Sequence, residues 1–232
     1  TSVGLAQSDE EMKEWLTSNK PNWGSKWQAG DVKYKDLTGE GEVTPGASTL
    51  ENHGDLKRIG NNSPRYRVGL NLDAAWKGID FSIFFQGVLK RDWMFDAGDP
   101  YFWGAGSGMW QAACFEEHMD YWTPENTDAY YPKPYFNETK NQQAQDAYMQ
   151  KASYLRCKNI QLGYTLPTHI TEKAGISNCR IYLSCDNLFT ITGLSSVYDP
   201  EVFGSYDGYG TSGKTYPCLL YTSPSPRDPK TS

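Results

Sequence analysis

Apolar and polar residues alternate along four stretches of the chain, at residues 66–76, 80–92, 153–166 and 178–192. Because successive side chains of a β-strand point to opposite faces, this period of two predicts strands with one apolar and one polar face. In the fourth stretch the apolar positions are Ile181, Leu183, Phe189 and Ile191, and the polar positions are Arg180, Tyr182, Ser184, Asp186 and Thr190. Short connectors at 77–79 and 167–177 join the stretches into two hairpins. The pattern therefore predicts an all-β fold.

The lengths of these stretches favour a membrane-spanning sheet. Each has about eleven residues or more, which is roughly twice the usual length of a soluble strand and enough to cross a bilayer. The first begins with Tyr66 and ends with Trp76, as the aromatic girdle of an outer-membrane barrel would require. Long segments at 1–65, 93–152 and 193–217 contrast with the short connectors, which is the loop asymmetry of such barrels. Alternation by itself also fits a soluble β-sandwich.

The composition narrows the classes of partner. The chain has 22 basic and 28 acidic side chains and a net charge of −6, and it contains no basic run, which argues against nucleic acid as a partner. Aromatic residues reach 14%, which is high for a polar chain and suits a β protein with large exposed loops. No apolar run approaches the roughly 18 residues of a transmembrane helix.

No set of residues has the spacing of a catalytic or cofactor site. The three histidines, His53, His118 and His169, lack the spacing of paired metal ligands. Glu116, Glu117 and Asp120 offer the carboxylates of a glycosidase pair, but acidic side chains in an exposed loop are usually solvated. The glycines at 104, 106 and 108 lack the preceding strand and following helix of a phosphate-binding loop. We therefore predict that the chain is not an enzyme and has no cofactor.

One segment invites comparison with a calcium-binding loop. Asp36, Thr38, Glu40 and Gly41 occupy the first, third, fifth and sixth positions of that pattern. The twelfth position, where a bidentate Glu belongs, is Ala47. A solvated turn is the better interpretation, and no metal site is predicted.

The long segment at 93–152 is rich in Trp, Tyr and Phe, and unstructured loops of this length are usually functional. Aromatic side chains stack on sugar rings and anchor protein interfaces. The candidate substrate-binding residues are Tyr101, Trp103, Trp110 and Tyr131. The alternative is that these rings pack the loop against its neighbours, and for Trp122 and Tyr130 we expect that structural role.

Five segments resemble the C-terminal end of the SusC/RagA-type TonB-linked outer membrane protein family. They read GDVKYKDLTGEGEV, IGNNSPRYRVGLNLDAAWKGIDFSIFFQGV, YWTPENTDAYYP, SYLRCKNIQLGYTLP and RIYLSCDNLFTITGLSSVYDPE, and they span most of residues 30–202 in the family's order. The resemblance implies a very large antiparallel transmembrane β-barrel of about 22 strands with a plugged lumen. This chain would supply the C-terminal part of that barrel, an incomplete barrel without the plug, the TonB box or the signal sequence.

The resemblance also implies a function and a location. Proteins of this family import glycans or peptides across the Gram-negative outer membrane, together with a SusD-like lipoprotein and with energy passed through TonB. Residues 1–65, 93–152 and 193–217 would then be extracellular. Ile181, Leu183 and Ile191 would face lipid, whereas Arg180, Tyr182 and Asp186 would face the lumen.

The chain divides into three parts on this interpretation. Residues 1–65 are an extracellular loop region, and residues 66–217 are the last barrel strands with their loops. Residues 218–232 are a non-native tail, since CLLYTSPSPRD at 218–228 resembles a translated sequencing-library adapter and its prolines oppose a strand.

Two other functions fit the same pattern. A surface binding or adhesion protein would use these loops without transport. A soluble β-sandwich lectin fits least well, because it needs neither the long strands nor the loop asymmetry.

Overall fold

The structure is a computed structural model that describes residues 1–107, 114–136, 138–195, 197–202 and 221–222. The described strands are β1 (Ser2–Leu5), β2 (Lys20–Pro21), β3 (Val32–Tyr34), β4 (Glu42–Val43), β5 (Arg67–Trp76), β6 (Ile79–Val88), β7 (Asp92–Trp93), β8 (Gln150–Thr165), β9 (Arg180–Gly193) and β10 (Tyr221–Thr222). The helices are α1 (Asp9–Trp15) and α2 (Thr168–Thr171), with 3₁₀ turns at Gly104–Ser107, Glu116–Met119 and Glu172–Ala174. The all-β prediction is confirmed at this level. No helix in the described ranges is long and apolar enough to cross a membrane.

The chain forms two compact units. The first consists of Thr1–Asn61 with Trp93–Met149, and the second consists of Asn62–Asp92 with Gln150–Ser232. Most of the two stretches predicted as loop, 1–65 and 93–152, thus folds together in the first unit. The apolar residues of this unit follow no regular period, so no alternation marks it in the sequence.

Four long strands build the second unit. β5, β6, β8 and β9 are neighbours in chain order, and each pairs antiparallel with the next. The β5–β6 hairpin closes at the pair Trp76 and Ile79, leaving a two-residue turn. Both turn residues have positive φ, 47° at Lys77 and 85° at Gly78. This is the conformation of a type I′ turn, whose twist matches that of the flanking strands.

The strand register assembles one continuous apolar face. Directly paired residues share a face, and the pairing aligns Leu70 with Phe85, Phe85 with Cys157, and Cys157 with Phe189. Further rows of the same face contain Leu72, Ile83, Ile160 and Cys185, then Ala74, Phe81, Leu162 and Leu183, then Trp76, Ile79, Tyr164 and Ile181. Several of these side chains are at least half exposed, with 68% for Trp76 and 67% for Leu183. The described residues of the second unit thus leave much of the apolar face exposed.

A bulge keeps β8 in phase with its neighbours. Phe84 and Phe85 of β6 pair with Asn159 and Cys157, so Lys158 is an extra residue in β8. The apolar face therefore takes even-numbered residues of β8 from Ile160 onward and odd-numbered residues up to Cys157. An extra residue at this point is the defining property of a β-bulge.

The helix α1 of the first unit has a start signal in the sequence, Ser8 followed three residues later by Glu11. Ser8 caps α1, because its hydroxyl accepts a hydrogen bond from the Glu11 amide at 3.1 Å. The Glu11 carboxylate in turn accepts the Gln7 amide at 2.6 Å. Met12 is buried on the inner side of the helix, and Trp15 donates its indole N–H to the Tyr34 carbonyl at 2.9 Å. The helix is thereby attached to β3, which pairs antiparallel with β1.

The tail contributes a short strand. Tyr221 and Thr222 of β10 pair with Asp186 and Cys185 of β9. The expectation that the tail supplies no strand is wrong for these two residues. Neither is a proline, so both have the amide N–H that pairing with a neighbouring strand requires. The rest of residues 218–232 lies outside the described residues.

Gly87 and Gly69 provide a matched test of the close strand packing. A Cβ on Gly87 would collide with the backbone carbonyl oxygen of Tyr154, and Leu155 Cα would lie 3.1 Å away. A Cβ on Gly69 would only meet the Phe84 ring at 3.6 Å. We expect Gly87→Ala to destabilise the sheet by about 1–3 kcal/mol, because backbone atoms must move apart, and Gly69→Ala to be close to neutral. Chemical denaturation of the full-length protein in detergent would measure both, and equal stabilities would contradict this packing.

Candidate functional site

The aromatic segment of the first unit forms a packed cluster of rings. Phe102 lies at its centre, with ring centroids 4.8 Å from Trp103, 5.8 Å from Tyr131 and 6.3 Å from Tyr148. Trp103 also meets Tyr148 edge to face at 4.9 Å. All four side chains are buried. Burial raises the pKa of Tyr131 and of Tyr148, so both hydroxyls stay protonated at neutral pH.

The structure brings together some of the predicted substrate-binding residues. Trp103 and Tyr131 lie in the cluster, with ring centroids 6.4 Å apart. Tyr101 is half-buried and packs on Phe115 at 5.8 Å. Trp110 lies outside the described residues. Substrate binding by these four residues stays a prediction, and packing within the loop accounts for the contacts of the three that are described.

The two aromatic residues expected to serve loop structure differ in exposure. Trp122 is buried, and its ring lies against Gly30 so closely that a Cβ there would collide with it. Tyr130 packs on Tyr131 and Tyr148 but remains 41% exposed. Gly30 has a φ of 85°, so both its conformation and its neighbour require glycine.

A cavity of about 330 Å³ adjoins the cluster. Its walls include Trp103, Tyr121, Tyr131, Pro132, Pro134 and Tyr135. Cys114, His118, Met119 and Glu138 also line it. The volume is at the lower end of the range for small-molecule sites, about 300–1,000 Å³. The sequence shows no motif for this cavity, because the lining residues are spread along positions 103–142.

A buried ion pair holds the segment behind this cavity. Lys140 Nζ lies 2.9 Å from Asp31 Oδ2, and the two side chains are 2% and 0% exposed. The ammonium also donates to the Ser25 and Lys26 carbonyl oxygens at 3.3 and 3.1 Å. The Tyr135 ring covers it, with 4.0 Å between Nζ and the ring centroid. The ammonium group therefore contacts one carboxylate, two carbonyl oxygens and one aromatic ring.

The Asp31 carboxylate is equally saturated. It accepts the Gln28 amide at 2.9 Å and the Asn141 side-chain amide at 2.9 Å, in addition to Lys140. Asn141 uses its oxygen to accept the Val32 amide at 3.0 Å. The bonds of Asp31 and Val32 to Lys140 and Asn141 join two stretches that are more than 100 positions apart in sequence. The network therefore holds the N-terminal and central parts of the first unit together.

The three predicted lumen-facing residues lie on the polar face of the sheet in the second unit. Arg180 pairs with Asp80, with Nε 3.0 Å from Oδ1, and its guanidinium lies 5.2 Å from the Tyr182 ring. Asp186 accepts a hydrogen bond from Asn159 at 2.6 Å. Gly163 lies between Asp80 and Tyr182 in the register, and a Cβ there would collide with the Asp80–Arg180 pair. That this face borders a lumen stays a prediction.

A second ion-pair network on this unit was not predicted from the sequence. Arg156 is 4% exposed, and its guanidinium contacts both Asp199 oxygens, at 2.8 and 3.2 Å. Glu201 also contacts Arg156, and it accepts from Lys158 at 3.1 Å. The segment Asp199–Glu201 is thereby attached to β8. In the sequence, the two acidic residues Asp199 and Glu201 give no indication of which basic residues they contact.

The calcium-like loop is closed by backbone donors. The Asp36 carboxylate accepts the amides of Thr38, Gly39 and Gly41, at 2.9, 2.6 and 2.6 Å. Asp55 accepts the amides of Leu37 and Thr44. Desolvation opposes ionisation of Asp36, but the hydrogen bonds outweigh it and lower the pKa of this carboxyl group. The structure supports the turn interpretation of this loop.

His118 has a structural role in its 3₁₀ turn. Its Nδ1 accepts the Phe115 amide at 3.0 Å, and its ring meets Tyr131 at 5.4 Å. A neutral imidazole that binds a metal through Nε2 carries its proton on Nδ1. The Nδ1 of His118 accepts a hydrogen bond, so the proton is not there. Across the described residues, no three His, Cys, Asp or Glu side chains are grouped as metal ligands.

Comparison with known proteins identifies the family. The chain is 30% identical over 172 residues to TonB-dependent receptor P3 of Formosa agariphila, covering 74% of this chain and 15% of that protein. It is 25% identical over 197 residues to TonB-dependent receptor P26 of the same organism, covering 84% and 18%. The chain belongs to the TonB-dependent receptors. It spans less than a fifth of the length of these curated relatives. No family model matches the chain.

Solved structures of receptors are also similar to this one. The RagAB peptide transporter matches with 25% identity and a TM-score of 0.43, over 56% of this chain and 14% of that one. The RagAB peptide importer in its open-open state matches with 21% identity and a TM-score of 0.46, over 83% and 18%. Both curated relatives are named as receptors.

The Asp31–Lys140 pair can be tested by removing one or both charges in the full-length receptor. We expect Lys140→Met to destabilise the first unit by about 3–5 kcal/mol, because Asp31 keeps a buried charge without its counter-ion. Asp31→Asn combined with Lys140→Met should cost less than Lys140→Met alone. Lys33→Met is the matched control, since its partner Glu11 is 37% exposed and such pairs contribute at most about 1 kcal/mol.

Hydrogen exchange of the amides at 28–35 and 140–145 would measure this local stability. A Lys140→Met receptor whose exchange matches that of Lys33→Met would contradict a dominant role for the buried pair.

Proposed function

We propose that this chain is part of a TonB-dependent outer-membrane importer that takes up glycans or peptides with a SusD-like surface lipoprotein. In this proposal β5, β6, β8 and β9 are barrel wall, with their apolar face toward lipid and their polar face toward the lumen. The first unit supplies the surface that meets substrate. TonB acts through a part of the receptor outside this chain.

The observation that carries the proposal is the two-faced sheet. Four neighbouring strands present aligned rows of apolar side chains on one face, and many of these side chains are exposed. An exposed apolar surface of this extent marks a membrane or protein contact. The opposite face contains an ion pair, hydrogen-bonded amides and the buried Arg156 network. This division is what a barrel wall with a polar interior requires.

The strand lengths support the same assignment. β8 has 16 residues and β9 has 14, and at the rise of a tilted strand either is long enough to cross a bilayer. A soluble sandwich would need a second sheet over the apolar face. Membership of the TonB-dependent receptors adds an energy source, which a surface adhesin does not need.

Two adjacent residues at the middle of β6 test which face meets lipid. Ile83 lies on the apolar face and Ser82 on the polar face, at nearly the same depth. We expect Ile83→Arg to lower the stability of the full-length receptor by about 2–4 kcal/mol, since an arginine would enter hydrocarbon. Ser82→Arg should be tolerated. Heat-modifiable migration on gels of isolated outer membranes would report folding, and the reverse order of the two variants would contradict the assigned faces.

Uptake by living cells separates an importer from a surface binding protein. Cells that carry the full-length receptor are incubated with a mixture of labelled glycans and peptides. They should accumulate label when TonB is present. Deletion of TonB should abolish accumulation and leave surface binding unchanged, because binding needs no energy input. Accumulation that continues without TonB would contradict the proposal, as would surface binding without accumulation in the presence of TonB.

A further inference from the structure

A second cavity of the first unit has a volume of about 470 Å³ and shares no lining residue with the aromatic one. Its most buried lining residues are Val32, Gln145 and Tyr148, which form its floor. Its exposed lining residues form its rim and include Asp120 and Asp128. The volume lies within the range of small-molecule sites, about 300–1,000 Å³. We call this site the acidic cavity.

The acidic cavity carries negative charge only. Asp120 and Asp128 are the charged side chains of its lining, to which no Lys, Arg or His belongs. Among the described residues, neither carboxylate forms an ion pair. Asp120 accepts the Asn126 side-chain amide and the Tyr130 backbone amide, both at 3.1 Å, and these neutral donors leave its charge in place. The electrostatic field of the cavity therefore favours a cation over an anion.

The amide of Gln145 has a fixed orientation on the floor of this cavity. Its nitrogen donates to the Asn141 and Gln143 carbonyl oxygens, at 2.9 and 3.1 Å. The nitrogen also lies 3.3 Å from the Tyr34 hydroxyl, whose own proton is donated to the Lys140 carbonyl oxygen. A rotated amide would place its oxygen against these three acceptors, so the nitrogen occupies this position.

The oxygen of the same amide lacks a donor. Gln145 is 0% exposed, and no group of the described residues donates a hydrogen bond to its Oε1. The three acceptors of its nitrogen belong to residues that do not line the acidic cavity. The oxygen is therefore the polar atom of this side chain that is directed to the cavity. A buried oxygen without a donor costs free energy, and a ligand N–H would remove that cost.

The aromatic side chains of the lining favour an organic cation over a metal ion. Tyr130 and Tyr148 both line the acidic cavity, and their rings meet edge to face with centroids 5.4 Å apart. Ring faces attract ammonium groups, and the carbon atoms of an organic ligand gain from contact with the rings. A calcium ion instead needs about six or more oxygen ligands. In the described part of the chain, no three His, Cys, Asp or Glu side chains are grouped as metal ligands.

We propose that the acidic cavity binds a small organic cation with an ammonium group, which donates to Gln145 Oε1 and pairs with the carboxylates of Asp120 and Asp128. An ammonium group has three N–H donors, so it can serve more than one acceptor. This site is additional to the proposed import of glycans or peptides and does not depend on it.

The test uses purified full-length receptor in detergent and saturation-transfer difference NMR, which detects small ligands on a large protein. The probes are butylamine, 1-butanol and butyrate, which share an alkyl chain and differ in the polar group. Calcium chloride is added as a competitor, with sodium chloride of equal ionic strength beside it.

Two variants of the acidic cavity each have a matched control. Asp128→Asn removes one carboxylate charge from the rim, and its control is Glu125→Gln, since Glu125 is also exposed but does not line the cavity. Ala147 is exposed and lines the acidic cavity, so Ala147→Phe fills the space without removing a buried side chain. Ala105→Phe is its control, because Ala105 is also exposed and lines the aromatic cavity instead.

We expect butylamine to bind at least about tenfold more tightly than 1-butanol or butyrate, because only the amine makes charge-assisted hydrogen bonds with these acceptors. Asp128→Asn should weaken butylamine about twofold to fivefold, as loss of one exposed charge pair would. Ala147→Phe should abolish its binding, and the two controls should preserve it. Near-ultraviolet circular dichroism would verify that each variant keeps its packed aromatic cluster.

Four results would overturn the proposal. They are no binding of butylamine, equal binding of 1-butanol, unchanged butylamine binding in both Asp128→Asn and Ala147→Phe, and displacement of butylamine by calcium chloride but not by sodium chloride. The last result would assign the cavity to a metal ion. None of the four bears on import, which the TonB-dependent uptake assay tests separately.

Discussion

The first unit depends on a single buried charge pair. Asp31 and Lys140 are almost completely removed from solvent, and a charge in that position is tolerable only when its hydrogen-bonding capacity is filled. The surrounding groups meet that condition from several directions. The backbone carbonyl of Lys140 extends the network, because it accepts the Tyr34 hydroxyl at 3.0 Å and the Trp23 indole at 3.2 Å. Two stretches that are distant in sequence are thereby fixed to each other, and the aromatic cavity is built on one of them.

The sequence was informative where structure repeats with a short period. Alternation located the long strands, and the order of apolar and polar positions in β9 matches the observed faces from Ile181 to Ile191. Ser8 and Glu11 have the fixed spacing of a capping box, which marks the start of α1. These are local rules, and they act within a few residues of one another.

The aromatic cavity and the charge networks follow no local rule. Asp31 has no feature in its own neighbourhood that points to Lys140, and Arg156 has none that points to Asp199. The four proposed substrate-binding aromatics were chosen for residue type, which cannot distinguish a ring in a wall from a ring in a core. Trp103 does both, since it is buried in the cluster and lines the cavity. Contacts of this kind depend on the tertiary fold, and they leave no local pattern in the sequence.

The bulge in β8 has a consequence for how such a receptor can change over evolution. A strand with two different faces cannot gain or lose one residue in its middle, because every side chain beyond that point would be turned to the wrong side. Lys158 shows where the strand already accommodates an odd residue. Single insertions and deletions in this family should therefore collect at the bulge and in the connections between strands, and changes elsewhere in a strand should come in twos. The length of each strand is thus far more constrained than its composition.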